Sequence, residues 1–243
     1  AIDEIDRKIT RLMLERMDIV DEVAPIKSVQ NVGRSFFRVF REIEVILNAF
    51  SDLKNSYPKE FVIQIWRLFI SASLNRENNF KICSSDVNCY WLAREYFGSF
   101  IGNKIIEDSN ELIQLISEDK SGIVGCMPFP NIKYHKKWWA NLPDDLKVFA
   151  IYPLSKCDIQ ERVLFIGSVD LEPTGFDETM LIIESDLINC SLLRDFGFSF
   201  LDEHHNLYLF LVDKFLTDKD LQKMKCSFGF KSVKIIGAFA KQF

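Results

Sequence analysis

The chain has six cysteines, at 83, 89, 126, 157, 190 and 226, none in a C-x-x-C pair, and only three histidines. Structural zinc needs closely spaced Cys and His ligands, so no metal site is expected. Scattered thiols suit a reducing, cytoplasmic setting better than a disulfide framework does. No apolar run reaches the ~18 residues that a membrane span needs, so no membrane partner is expected. Positive charge is not in excess either: 30 Lys and Arg stand against 35 Asp and Glu, a net charge of -5. That excludes a general basic field for recruiting nucleic acid. The imbalance is uneven, because the first 80 residues carry twelve charges of each sign and the whole deficit lies beyond them. An anionic small molecule would have to be drawn by a local cluster. The chain opens on Ala1 rather than Met, so residues upstream are expected.

What is present begins with a helical pattern. Ile2, Ile5, Ile9, Leu12, Ile19, Val23 and Ile26 recur at spacings of three and four and mark a face expected to be buried. Arg16 and Lys27 stand eleven residues apart on this helix. At about 100° per residue that is three turns plus about 20°, so both cations share one stripe beside the apolar face. A cation held there needs an anionic partner. The helix is predicted to run to about residue 30, with a kink at Pro25. Two more helices are predicted at about 39–54 and 59–77, separated by the turn Asn55-Ser56-Tyr57-Pro58. Three long helices in so little chain bury poorly alone, and a second copy would solve that.

The segment AIDEIDRKITRLMLERMDIVDEVAPIK, followed by RVFREIEVI and FVIQIWRLFISASLNRE, resembles the all-helical (AroQ-type) chorismate mutases. The matching positions are Asp3, Asp6, Arg16, Lys27, Arg41 and Glu42, with Ser73 and Glu77 four residues apart on one face of the third helix. The resemblance covers about residues 1–80. It implies an intertwined homodimer that binds chorismate and rearranges it to prephenate, a pericyclic step needing no cofactor. Arg16 would clamp a substrate carboxylate and Lys27 would reach the ether oxygen. Glu42 would accept the substrate hydroxyl, Arg41 would orient nearby groups, and Ser73 and Glu77 would close the pocket. Two positions depart from the pattern. Glu77 stands where the family often has Gln, and a carboxylate donates a hydrogen bond only when protonated, so activity is expected to favour acidic pH. Arg38 stands where an acidic residue is usual, a change that either weakens hydroxyl recognition or adds another carboxylate contact. A further arginine from the partner subunit would fall upstream of Ala1.

Beyond Asn78-Asn79 the texture changes. Short strands around 80–83, SGIVGCMPFP and DLKVFAIYPL alternate with helices in WLAREYFGSF and ELIQLISEDK, predicting a small α/β domain over 80–160. From 161 to 243, VLFIGSV, TMLIIES, LYLFLVD and SVKIIGAFA read as strands and INCSLLRDF and DKDLQKMKC as helices. That predicts a ferredoxin-like unit of the ACT kind. The expected fold is thus multidomain, α followed by α+β: a helical domain over 1–79, then the two smaller units. The tail resembles a shortened prephenate dehydratase and its ACT region, departing where chemistry would occur. The Thr-Arg-Phe element appears as Glu161-Arg162-Val163, the Pro-Ile-Glu-Asn-Ser element as Pro128-Phe129-Pro130-Asn131-Ile132, and the opening glycine-rich loop as Ser84-Ser85-Asp86-Val87. The Glu-Ser-Arg-Pro element that senses phenylalanine falls on Leu201-Asp202-Glu203-His204. Dehydratase activity is therefore not expected. The rival readings are a non-catalytic sensor of an aromatic-pathway metabolite and, on the same helical scaffold, isochorismate pyruvate-lyase chemistry. Trp138-Trp139 is read as packing and His204-His205 as a loop or strand edge.

Overall fold

A computed structural model describes residues 1–30, 37–53, 56–133 and 136–242; the side chains of 26–30 and of 160 lie outside that description. Three helices come first: α1 (Ile2–Gln30), α2 (Val39–Leu53) and α3 (Lys59–Asn78). The helix α1 runs through Pro25. At the end of α3, Asn79 takes the left-handed conformation at φ 45°, and its N–H closes the last turn on Asn75. Asn is one of the few residues that does this at low cost.

The apolar stripe of α1 is where sequence and structure part. Ile2, Ile5, Ile9, Leu12 and Ile19 were expected to pack inward, yet they are exposed, Ile2 by 74% and Leu12 by 62%. The physical reason is length. Only the second half of α1 meets α3, where Arg76 grips Asp21 through two hydrogen bonds of 2.8 and 3.0 Å. The first four turns are exposed throughout, and Ile19 is exposed although its turn belongs to the half that meets α3.

A nine-stranded sheet follows, in the order β2-β1-β3-β5-β4-β9-β6-β8-β7. Its first part comprises β1 (Lys81–Ser84), α4 (Val87–Phe97), β2 (Asn103–Ile105), α5 (Ser109–Glu118), β3 (Ile123–Pro128), β4 (Lys147–Tyr152) and β5 (Val163–Gly167). Strands β2, β1 and β3 are parallel, and β5 lies antiparallel between β3 and β4. Thus VLFIGSV, expected to open the C-terminal unit, completes the preceding one. The helices α4 and α5 start on Asp86 and Asp108, whose carboxylates accept from first-turn N–H groups.

The remainder reads β6 (Asp177–Glu184), α6 (Cys190–Asp195), β7 (Phe198–His204), β8 (Leu207–Val212), α7 (Asp218–Phe228) and β9 (Ser232–Ala240), a βαββαβ order. All its strand pairs are antiparallel, in the spatial order β9-β6-β8-β7. The sequence reading missed β7, whose charged end (Asp202, Glu203) hides its alternation. Thr217 and Asp220 form a reciprocal capping box at the start of α7. The two parts of the sheet join where β9 runs parallel to β4 at Val148 and Gly237. A Cβ on Gly237 would lie 2.4 Å from the Val148 carbonyl oxygen, so this seam demands glycine.

The helices and the sheet share one core. Ile43 and Ile46 of α2 and Ile63, Ile70 and Leu74 of α3 pack with Phe80, Phe97, Phe149 and Phe165. Phe37 stacks on Phe149 with ring centres 5.0 Å apart. A second core on the opposite face holds Trp138 and Trp139 against β3 to β5. Their indoles donate to the Pro128 carbonyl and to Asp202, in keeping with packing. His204 ends β7 and His205 occupies the turn that follows, at φ 55°.

Candidate functional site

The three helices enclose a cavity of about 440 Å³. Its lining includes Arg16 from α1, Arg38 just ahead of α2, Arg41 and Glu42 in the first turn of α2, and Ser73 and Glu77 from α3. Six of the seven residues predicted from sequence therefore meet around one space. The seventh, Lys27, is in the last turns of α1, and its side chain lies outside the described residues. The remaining wall is apolar: Val20, Val45, Trp66, Ile70 and Leu74. A volume of this size falls in the range of small-molecule sites, roughly 300–1,000 Å³.

Arg16 is half-buried. Its Nη1 donates to the Ser73 hydroxyl at 2.5 Å and to the Phe69 carbonyl at 3.3 Å. The Ser73 hydroxyl in turn donates to the same carbonyl at 2.8 Å. Among the described residues no carboxylate pairs with Arg16, and burial pushes its pKa down from the usual guanidinium value. Arg41 is more exposed and holds Glu44 at 2.5 Å, one turn along α2. Arg38 is exposed at the rim.

Glu42 has an internal partner that the sequence reading did not foresee. It is 6% exposed, and its Oε2 accepts from Nη1 of Arg67 at 2.5 Å. Its Oε1 is buried with no hydrogen-bond partner among the described residues. Arg67 is 1% exposed and lies over the ring of Tyr96, on α4, with its guanidinium carbon 3.8 Å from the ring centre. Burial holds the Tyr96 phenol well above its usual pKa, so the ring beneath Arg67 is neutral and acts through its π face. A buried carboxylate costs several kcal/mol unless paired, and Arg67 supplies the pairing. Sequence reasoning passed over Arg67, although a signal was there. Ile63, Arg67, Ile70 and Leu74 fall on one buried stripe, and a cation at such a position needs a partner.

Chemically, the cavity offers guanidinium forks for carboxylates, the carboxylate of Glu42 in its wall, and an apolar floor. A small dianion bearing a hydroxyl fits that set.

Residues 1–78 match the family model of chorismate mutase type II. That match spans the three helices and every residue of this cavity. The nine-stranded sheet follows the matched segment. Among solved structures, the chain is similar to a prephenate dehydratase from Streptococcus mutans at 14% identity and a TM-score of 0.46, covering 67% of this chain and 98% of that one. It is similar to a prephenate dehydratase from Staphylococcus aureus at 15% identity and a TM-score of 0.42, covering 66% and 100%. GqqA, described as a novel type of quorum quenching acylase, is similar at 12% identity and a TM-score of 0.43, covering 65% and 94%. A comparison with curated protein sequences finds no match. Among the described residues, no helix is long and apolar enough to cross a membrane.

Proposed function

We propose that the helical cavity binds chorismate and rearranges it to prephenate. The observation that carries this reading is the meeting of Arg16, Arg38, Arg41, Glu42, Ser73 and Glu77 around one cavity, within the segment that matches the mutase family. The reaction is a single pericyclic step, so catalysis means holding the folded conformer and stabilising charge on the breaking ether oxygen. Arg16 takes one substrate carboxylate, with Arg38 and Arg41 at the rim for the other. Oε1 of Glu42 accepts the substrate hydroxyl. Lys27 donates to the ether oxygen, and Glu77 closes the pocket from α3.

The exposed stripe of α1 supports a homodimer, in which a second copy covers Ile2, Ile5, Ile9 and Leu12. The βαββαβ portion is an ACT-like unit, and the region between it and the helices is a dehydratase-like layer without dehydratase activity. Glu161, Pro130, Ile132 and Ser84 stand where that chemistry would need other residues. In these terms the helical domain ends at about 79, and the next joint falls after β5 rather than at about 160.

The test is chorismate consumption between about pH 5 and pH 8, with prephenate identified as the product, beside Lys27→Ala. Turnover to prephenate that is abolished by Lys27→Ala is expected. Release of pyruvate instead would identify lyase chemistry. A folded protein that binds but never converts chorismate would make this a sensor.

A further inference from the structure

Arg67 touches no part of the cavity, yet it is the deepest charge beside it. It ties down one oxygen of Glu42 at 2.5 Å and leaves the other, Oε1, buried and unpartnered among the described residues. A carboxylate free to rotate presents either oxygen in many directions. Anchored through Oε2, it presents Oε1 in one. The anchor is itself seated by another part of the fold. Arg67 is on α3, but the ring under its guanidinium belongs to Tyr96 of α4, and Phe97 lies 5.8 Å away on the same helix. Tyr96 is 2% exposed and is wedged against Tyr152 of β4, ring centres 5.5 Å apart, and Phe165 of β5, at 4.5 Å. A chain of contacts therefore leads from the sheet through Tyr96 and Arg67 to Glu42.

We infer that Arg67 is a positioning residue for Glu42 and that the α/β layer, through Tyr96, sets the geometry of turnover in the helical cavity. The inference rests on the mutase reading and deepens it. The C-terminal region thereby takes part in the reaction without contacting substrate. An orientation effect belongs to the transition state more than to ground-state binding, so it should appear in kcat rather than KM.

The experiment measures kcat and KM for chorismate on the full chain. The variants are Arg67→Lys, Tyr96→Leu, Tyr96→Phe, Glu42→Gln and the double variant Arg67→Lys with Glu42→Gln. Arg67→Lys keeps a cation for Glu42 but loses the planar group that stacks and orients it. The expected result is a fall in kcat of about fivefold or more for Arg67→Lys and Tyr96→Leu, with KM within about twofold. Tyr96→Phe retains the ring and restores kcat. On the Glu42→Gln background, Arg67→Lys costs less than about twofold, because the group it positions is already altered. Unchanged kcat in Arg67→Lys and Tyr96→Leu would overturn the inference. So would a change confined to KM, or a loss of equal size with and without Glu42. Should Tyr96→Leu fail to fold, judged by its melting curve, the two Arg67→Lys measurements decide alone. A wild-type protein inert toward chorismate would instead sink the mutase reading, and the inference with it.

Discussion

Replacement of Arg16 by Ala isolates one contact. Among the described residues its Nη1 donates to Ser73 and the Phe69 carbonyl, and its guanidinium lies 5.7 Å from the Phe69 ring centre. Losing these costs the fold little, because the Ser73 hydroxyl still donates to Phe69 at 2.8 Å. About 1 kcal/mol is expected, the net worth of an ordinary hydrogen bond. With substrate bound the account changes, since Arg16 then makes a charge-assisted bond to a carboxylate in a partly dry site. Such bonds contribute about 1.5–3 kcal/mol, and each ~1.4 kcal/mol is tenfold in rate. The expected loss in kcat/KM is therefore about 10- to 150-fold, with the melting temperature falling only a few degrees. Arg16→Lys should lie between, since it keeps the charge and loses the fork. The assay follows the disappearance of chorismate at fixed pH and low salt. If Arg16→Ala kept kcat/KM within about twofold while remaining folded, the cavity would not be the carboxylate site.

Other expectations follow from the same structure. Glu77→Gln should raise kcat/KM several-fold, because an amide N–H donates to the ether oxygen where a carboxylate cannot; an unchanged value would place Glu77 outside the reacting geometry. Leu12→Glu, on the 62%-exposed stripe of α1, should convert a dimer to a monomer in sedimentation; a wild type already monomeric would refute the stripe as an interface. Gly237→Ala should cost about 1–3 kcal/mol through a clash with the Val148 backbone, read as a lower denaturant midpoint; an unshifted midpoint would mean that the seam yields freely.

The helices were legible because their apolar spacing is long and regular, and α1, α2 and α3 end within a residue or two of where the pattern stops. The cavity residues were legible because Arg16, Arg41, Glu42, Ser73 and Glu77 sit at motif spacings on those helices. Arg67 was not, because its meaning depends on Glu42, 25 residues upstream, and on Tyr96, on another helix. Side chains that matter through partners distant in sequence leave only a faint local trace, here one charge inside an apolar stripe. The placement of β5 was hidden for a similar reason. A strand's identity is local, but its neighbours β3 and β4 are chosen by the whole sheet. The exposure of Ile5 and Leu12 escaped because periodicity reports which face is apolar, not whether anything lies against it.

The shared core of Phe37, Ile43, Ile70, Phe80, Phe149 and Phe165 bears on modularity. Position 79 is a joint in the sequence but not in the packing. Cutting the chain there would bare the aromatic side of α2 and α3 to water, and what remained would have to find new cover or aggregate. Recombining this helical third with a foreign tail would meet the same obstacle unless the new tail carried its own version of Phe97, Phe149 and Tyr96. Heat should accordingly melt helices and sheet in a single transition rather than two.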